Sequence, residues 1–256
     1  FAYTYLESIT LPASLTSLSP TAFEGCSYLT DITLAPGNTS FALVDGALFT
    51  ADKSQVVFIP PTLDTFTIPA AMDYDAILNA VDLLKNVSAL AVIELEEENA
   101  DFIAKDGVLY TKDWQIMLVP MGKTSYTIPK EVTMLTVYDA MYDEDSFDNT
   151  EAFRGMIESI TFEEGRTQGL TIQGSFGSGV FSSLESLTSV SLPDNTTIGA
   201  YAFAGCSELE NVSFGGTNIT IAATAFNNCA PVNSITVADS AAGDIVLEDR
   251  VPSDAG

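Results

Sequence analysis

One motif recurs along the chain, and any fold must accommodate it. Leu6-Glu7-Ser8-Ile9-Thr10-Leu11 returns 23 positions later as Leu29-Thr30-Asp31-Ile32-Thr33-Leu34. Further copies begin at Leu90, Ile157, Leu187, Leu209 and Val232, and the last three are spaced by 22 and 23 positions. Each reads apolar-x-x-apolar-x-apolar, which ends in the period-2 alternation of a half-buried strand. A unit of 22–23 residues cannot bury its apolar face alone. Stacked neighbours share one continuous core, and their strands then form a parallel sheet on one side. The 256 residues are better counted as repeats of one domain over 1–240 than as two domains. Residues 241–256 carry no recognisable repeat and read as a cap or a tail.

A second element follows each strand. Ala22-Phe23-Glu24-Gly25-Cys26 is echoed by Ala152-Phe153-Arg154-Gly155-Met156, Ala202-Phe203-Ala204-Gly205-Cys206 and Ala225-Phe226-Asn227-Asn228-Cys229. This spacing predicts one short helical turn with an aromatic knob, closed by Gly or Asn in a left-handed cap. Between strand and turn, 15–18, 132–135 and 217–221 read as a second short strand. A longer variant carries Asp45-Gly46 and Ile68-Pro69, echoed by Asp106-Gly107 and Ile128-Pro129. Its segments 47–50 with 56–59, and 108–111 with 116–119, predict hairpins through turns at 51–53 and 112–114. The pattern departs at 70–88, which is helix-like, at an acidic insertion over 137–151, and at an irregular stretch over 165–179.

Composition excludes several functions. With 9 Lys+Arg against 35 Asp+Glu, the net charge is −26, which repels phosphate and argues against nucleic acid as a partner. The chain has no histidine, so Ser-His-Asp triads, Cys-His pairs and His-ligated zinc are ruled out. The most apolar stretch, 76–93, is broken by Asn79, Asp82, Lys85 and Asn86, too polar for a bilayer span. The chain opens at Phe1 inside a repeat, as a trimmed or mature fragment would.

Few residues suggest chemistry. Cys26, Cys206 and Cys229 share one repeat position. They read as small buried fillers, although Cys206 and Cys229 lie on adjacent repeats and a disulfide between them is geometrically conceivable. The insertion offers Asp143, Asp145 and Asp148 as calcium candidates, but the EF-hand order and its glycine are missing, so a solvated loop is the readier account. Gly174-Ser175-Phe176-Gly177-Ser178-Gly179 lacks the lysine of a phosphate loop. Paired carboxylates are abundant, yet nothing in the sequence fixes the separation that glycoside hydrolysis needs. No cofactor is expected.

The repeat resembles that of BspA-like leucine-rich-repeat bacterial surface proteins, roughly L-x-S-I-T-I-P-x-S-V-T-x-I-G-x-x-A-F-x-G-C. Residues 6–26 and 187–206 carry it most fully, and Asp-Gly-(Val/Ala)-Leu-(Phe/Tyr) followed by Ile-Pro is also typical. The resemblance implies an α/β, right-handed leucine-rich-repeat solenoid, mostly β with short helical turns and a parallel sheet on the concave face. It further implies a non-enzymatic module, extracellular or on a bacterial cell surface, that adheres to host, matrix or bacterial proteins. Glycan or peptide capture on the concave face and a purely structural spacer are the alternatives. The chain is expected to be a monomer with a protein or glycan ligand.

Alternation places a hydroxyl-rich row on the outer strand face. It includes Thr10, Thr33, Thr161, Ser191, Ser213 and Thr236, with Glu94, Glu96 and Glu163 as the acidic members. These nine residues are the candidate binding positions. β-Propensity alone also accounts for threonine and serine there.

Overall fold

Every copy of the motif folds as a four-residue strand, and where two copies pair, equivalent residues lie opposite each other. The computed structural model describes residues 1–19, 21–135, 156–175 and 178–229, with the backbone alone of Ser175, Ser178, 234–237 and 245–248. The acidic insertion at 137–151, with Asp143, Asp145 and Asp148, lies outside the described residues, as does the copy beginning at Ala152. Two compact units form: Phe1–Lys112 with Leu118–Gly122, and Asp113–Met117 with Lys123–Gly256.

In the first unit, β1 (Ser8–Leu11) pairs in parallel with β2 (Asp31–Leu34), with Ile9 opposite Ile32 and Thr10 opposite Thr33. An antiparallel meander follows: β3 (Phe41–Val44), β4 (Ala47–Thr50) and β5 (Val56–Phe58). β6 (Thr65–Ile68) leads into the helix α1 (Tyr74–Leu84), and β7 (Val92–Leu95) returns to pair with β6 in parallel. The antiparallel pair β8 (Phe102–Lys105) and β9 (Val108–Thr111) comes next. β10 (Ile116–Leu118) spans the division between the units.

The second unit carries two parallel sheets, visited alternately by the chain. One runs β11 (Ser125–Ile128), β13 (Ser159–Phe162), β17 (Ser189–Leu192), β19 (Asn211–Phe214) and β21 (Ser234–Val237). The other runs β12 (Met134–Leu135), β14 (Leu170–Ile172), β18 (Thr196–Ile198), β20 (Ile219–Ala222) and β22 (Ile245–Glu248). The second sheet thus extends into the stretch read from sequence as a cap or tail. A small antiparallel pair, β15 (Gly174–Ser175) and β16 (Ser178–Gly179), accounts for the glycine-rich segment. A Cβ on Gly174 would collide with the carbonyl oxygen of Ala200, so glycine serves close backbone approach there. The fold is a mostly β leucine-rich-repeat solenoid with parallel sheets and, among the described residues, one short helix.

Alternation decides what is buried. Leu29, Leu90, Ile157, Leu187 and Leu209, the first apolar residues of their copies, are all fully buried. Ile32, Ile93, Ile160, Val190 and Val212, three positions on, are buried as well. Just past the strands, Ala35 donates its N–H to Leu11 O at 2.9 Å, Glu96 to Ile68 O at 3.0 Å, Glu163 to Ile128 O at 2.9 Å and Gly215 to Leu192 O at 2.9 Å. One bond at one repeat position therefore ties the ends of these four strands to the strand before; after β17 the position is Pro193, which has no N–H to give.

The aromatic knobs stack. Phe203 lies between Phe181 and Phe226, with ring centroids 5.1 Å away on each side. Phe181 belongs to a copy, Val180-Phe181, that the sequence pattern did not single out. The left-handed caps form as expected at Gly25 (φ 67°), Gly205 (φ 75°) and Asn228 (φ 57°).

Two expectations need correction. Residues 15–18 form no strand, because the copy that follows carries the β3–β5 meander where a matching second strand would lie. The meander itself has one more hairpin than the sequence reading allowed. β3 joins β4 through Asp45-Gly46 (φ 52° and 90°), and β8 joins β9 through Asp106-Gly107 (φ 53° and 78°). Two consecutive positive φ values define the type I′ turn that Asp-Gly favours. The helix at 70–88 forms as read. Asp73 caps it by accepting the Ala76 N–H at 2.9 Å, and Ile77, Ala80, Val81 and Leu84 face inward.

Phe203 is fully buried between two rings. Phe203→Ala is expected to destabilise the second unit by about 3–5 kcal/mol, the usual cost of a large aromatic cavity, measured by urea unfolding. Phe203→Leu should cost clearly less.

Candidate functional site

The outward strand positions form short ladders. Thr10 and Thr33 face each other across β1 and β2, with hydroxyl oxygens 2.7 Å apart. Thr161 on β13 faces Thr127 on β11 at 2.9 Å. Ser191 on β17 pairs with Ser213 on β19, which pairs with Thr236 on β21. Only the backbone of Thr236 is described. Glu94 on β7 is exposed and sits opposite Thr67 on β6.

Glu96 and Glu163 lie just beyond their strands. Glu96 accepts the Ala70 N–H at 3.1 Å and pairs with Lys53 at 3.3 Å. Glu163 accepts the Lys130 N–H at 3.2 Å. Ala70 and Lys130 both follow an Ile-Pro. Proline has no N–H, so the next residue supplies the first free donor after the strand, and the glutamate of the following copy accepts it. These two glutamates fasten neighbouring copies. In the same region of the second unit, the half-buried Arg166 donates to Pro129 O at 2.8 Å and to Val132 O, with its guanidinium over the Phe162 ring. Burial lowers the Arg166 pKa, while the carboxylates of Glu131 and Glu163 act to raise it.

Glu94 is different, because it lines a cavity. A recess of about 670 Å³ in the first unit is bounded by Ile93, Leu95, Phe102 and Ile103, with Glu94, Glu97, Glu98, Asp106 and Lys112 around it. All five charged groups are exposed, and Lys112 approaches Glu98 at 4.0 Å. Four carboxylates against one ammonium make the rim attractive to a cationic group.

Sequence reasoning missed Thr67 and Thr127. Their strands lack the Leu-x-x lead of the repeat, although Phe66-Thr67-Ile68 and Tyr126-Thr127-Ile128 alternate correctly before proline. It also missed the recess, whose walls combine β7 with the β8–β9 hairpin. Among the described residues, aromatic exposure is greatest at Tyr5, Tyr3, Phe1 and Tyr28. Tyr5 and Tyr28 occupy equivalent positions and contact each other at 5.5 Å, with the rings tilted by 42°. No group of three or more Cys, Asp or Glu among the described residues is placed to hold a metal ion. No helix among them is long and apolar enough to cross a membrane.

In-register parallel strands at a 22–23-residue spacing, with stacked aromatic turns, define a leucine-rich-repeat protein. The pattern of the BspA type leucine rich repeat region matches six copies, over residues 1–88 and 174–243. The chain belongs to that family. No curated protein matches it. Among solved structures it is similar to the pneumococcal vaccine antigen PcpA, at 18% identity over 98% of this chain and 70% of that one, with TM-score 0.39. A leucine-rich repeat protein from Eubacterium ventriosum is similar at 17% identity over 98% and 62% of the two chains, with TM-score 0.38. A leucine rich cell surface protein from Faecalibacterium prausnitzii is similar at 18% identity over 83% and 60%, with TM-score 0.33.

The Glu96 contacts generate a pH prediction. The Ala70 N–H, and after it Lys53, hold the Glu96 carboxyl below its ordinary value of 4.5. The folded state therefore favours the charged form. The stabilisation is present above 4.5 and is lost as pH falls through the lower folded value. Glu96→Gln should be less stable than the native chain at neutral pH, and the gap should close on acidification below 4.5. Thermal unfolding across pH checks this. The Lys53 pair is exposed and contributes little by itself, so Lys53→Gln should show a smaller gap.

Proposed function

We propose that this chain is a non-enzymatic binding module of the bacterial cell surface, and that it captures a protein ligand presenting a cationic side chain. The observation that carries this reading is the recess beside Glu94. It combines partly exposed apolar side chains, Leu95 and Ile103, with a carboxylate rim, the combination that suits the aliphatic stem and charged head of a lysine or arginine. The outward pair Thr10 and Thr33 in the first unit, and separately Thr161, Ser191 and Ser213 in the second, offer further hydrogen-bonding groups, with Thr236 next in register by its backbone, and repeat proteins use such surfaces for binding. Glu96 supports the recess indirectly by fixing the end of β7; Glu163 does the same for β13 in the second unit. Surface location and adhesion extend to this chain what the family and the cell-surface relative suggest.

A glycan-binding reading has one observation in its favour, the exposed Tyr5–Tyr28 pair. Aromatic faces of this kind are suited to stacking on sugars. A spacer reading draws on the Thr10–Thr33 and Thr127–Thr161 hydroxyl pairs, which satisfy each other without a ligand.

Array binding with matrix proteins and glycans separates the three. The protein-binding reading expects saturable binding that falls at least tenfold in Glu94→Lys/Glu97→Lys and weakens with salt, while Tyr5→Ala/Tyr28→Ala leaves it intact. Loss in the tyrosine variant alone supports glycan capture. A blank array across both ligand classes supports the spacer.

A further inference from the structure

The three thiols make the same contact. Cys26 donates to Phe1 O at 3.0 Å, Cys206 to Phe181 O at 3.1 Å and Cys229 to Phe203 O at 3.1 Å. Each sulfur therefore reaches back toward the turn of the preceding copy. For Cys229 that turn holds Cys206, and the two thiols are close enough to perturb each other's ionisation. Cys26 has Phe1 and Thr4 as its polar neighbours instead.

The backbone carrying the pair is held in register. Phe203 N–H donates to Ala225 O at 2.8 Å and Gly205 N–H to Asn227 O at 2.9 Å. The rings of Phe203 and Phe226, three positions before each cysteine, stack at 5.1 Å and 7°. Equivalent atoms of the two turns are thus displaced by roughly 5 Å, inside the Cα separation of about 4.4–6.8 Å that a disulfide spans. Cys206 is fully buried, and Cys229 is partly exposed.

We propose that Cys206 and Cys229 are a thiol–disulfide site that small-molecule disulfides oxidise to a staple between successive copies. Cys229 is the entry thiol. The neighbouring Cys206 side chain brings the Cys229 pKa down to about 7, and the Cys229 sulfur is the one solvent reaches. The thiolate attacks one sulfur of the oxidant, the oxidant's S–S bond breaks, and one half leaves as a thiolate that takes up a proton. Cys206 then gives up its proton and attacks the Cys229 sulfur of the mixed disulfide, releasing the other half. Two protein thiols are oxidised and one small-molecule disulfide is reduced to two thiols. The neighbouring Cys229 and burial both raise the Cys206 pKa, so this nucleophile acts through proximity rather than acidity. The stacked, backbone-bonded turns supply that proximity.

The test incubates the native chain with oxidised glutathione, unfolds it, alkylates the remaining thiols and maps the peptides by mass. The expected product has lost two hydrogens, carries a single 206–229 cross-link, retains alkylatable Cys26 and reverts with dithiothreitol. Cys206→Ser should instead accumulate a glutathione adduct on Cys229. Three alkylatable thiols after incubation, glutathione retained on Cys229 of the native chain, or a cross-link involving Cys26 would each overturn the proposal. A cross-link that forms faster in urea than in buffer would also overturn it, because the site would then not be preorganised by the fold.

Discussion

The structure depends on translation by one repeat with no slip. Parallel strands sit about 4.8 Å apart, and a one-residue shift would move every inward side chain to the outer face. Here Ile9 meets Ile32, Ile160 meets Val190 and Val212 meets Ile235. Because registry holds, a residue type at one repeat position meets its own kind in the next copy. Phenylalanine stacks on phenylalanine, threonine bonds threonine, and cysteine reaches cysteine. The ring stacking runs through three successive copies, Phe181, Phe203 and Phe226, so a modest pairwise energy is multiplied along that unit.

Registry also disposes of the charge. A chain at −26 repels itself unless its acids are spread over solvent. The repeat leaves only a few positions per copy facing outward, and the carboxylates there have distinct tasks. Glu96 and Glu163 satisfy the first amide after an Ile-Pro. Asp73 caps the helix. Asp45 accepts the Thr67 N–H at 3.0 Å, linking the type I′ turn to β6. The rim at Glu94, Glu97, Glu98 and Asp106 stands apart, because its carboxylates gather around a recess.

Much of the fold was legible in the sequence, since alternation and spacing are local properties. The seven strands of the Leu-x-x-Ile-x-Leu copies, the left-handed caps and the helix at 70–88 all follow from them. The β3–β4 hairpin was also legible, because Asp45-Gly46 is a strong type I′ turn signal. Thr67 and Thr127 were missed for want of the repeat's lead residues. The task of Glu96 was not legible at all, because its partners Lys53 and Ala70 lie 43 and 26 positions away. The recess beside Glu94 likewise exists only once β7 and the β8–β9 hairpin come together. Calcium binding in the acidic insertion rests on residues outside those described.

Amide hydrogen exchange tests the registry most directly. Ala35, Glu96, Glu163 and Gly215 each donate to the carbonyl that ends the preceding strand. Each is the first residue past its own strand, where an unpaired amide would exchange freely. Strict registry predicts slow exchange at all four, comparable with the central residues of their strands. Fast exchange at these four beside protected strand centres would contradict it, because the copies would then be packed together without being locked in step.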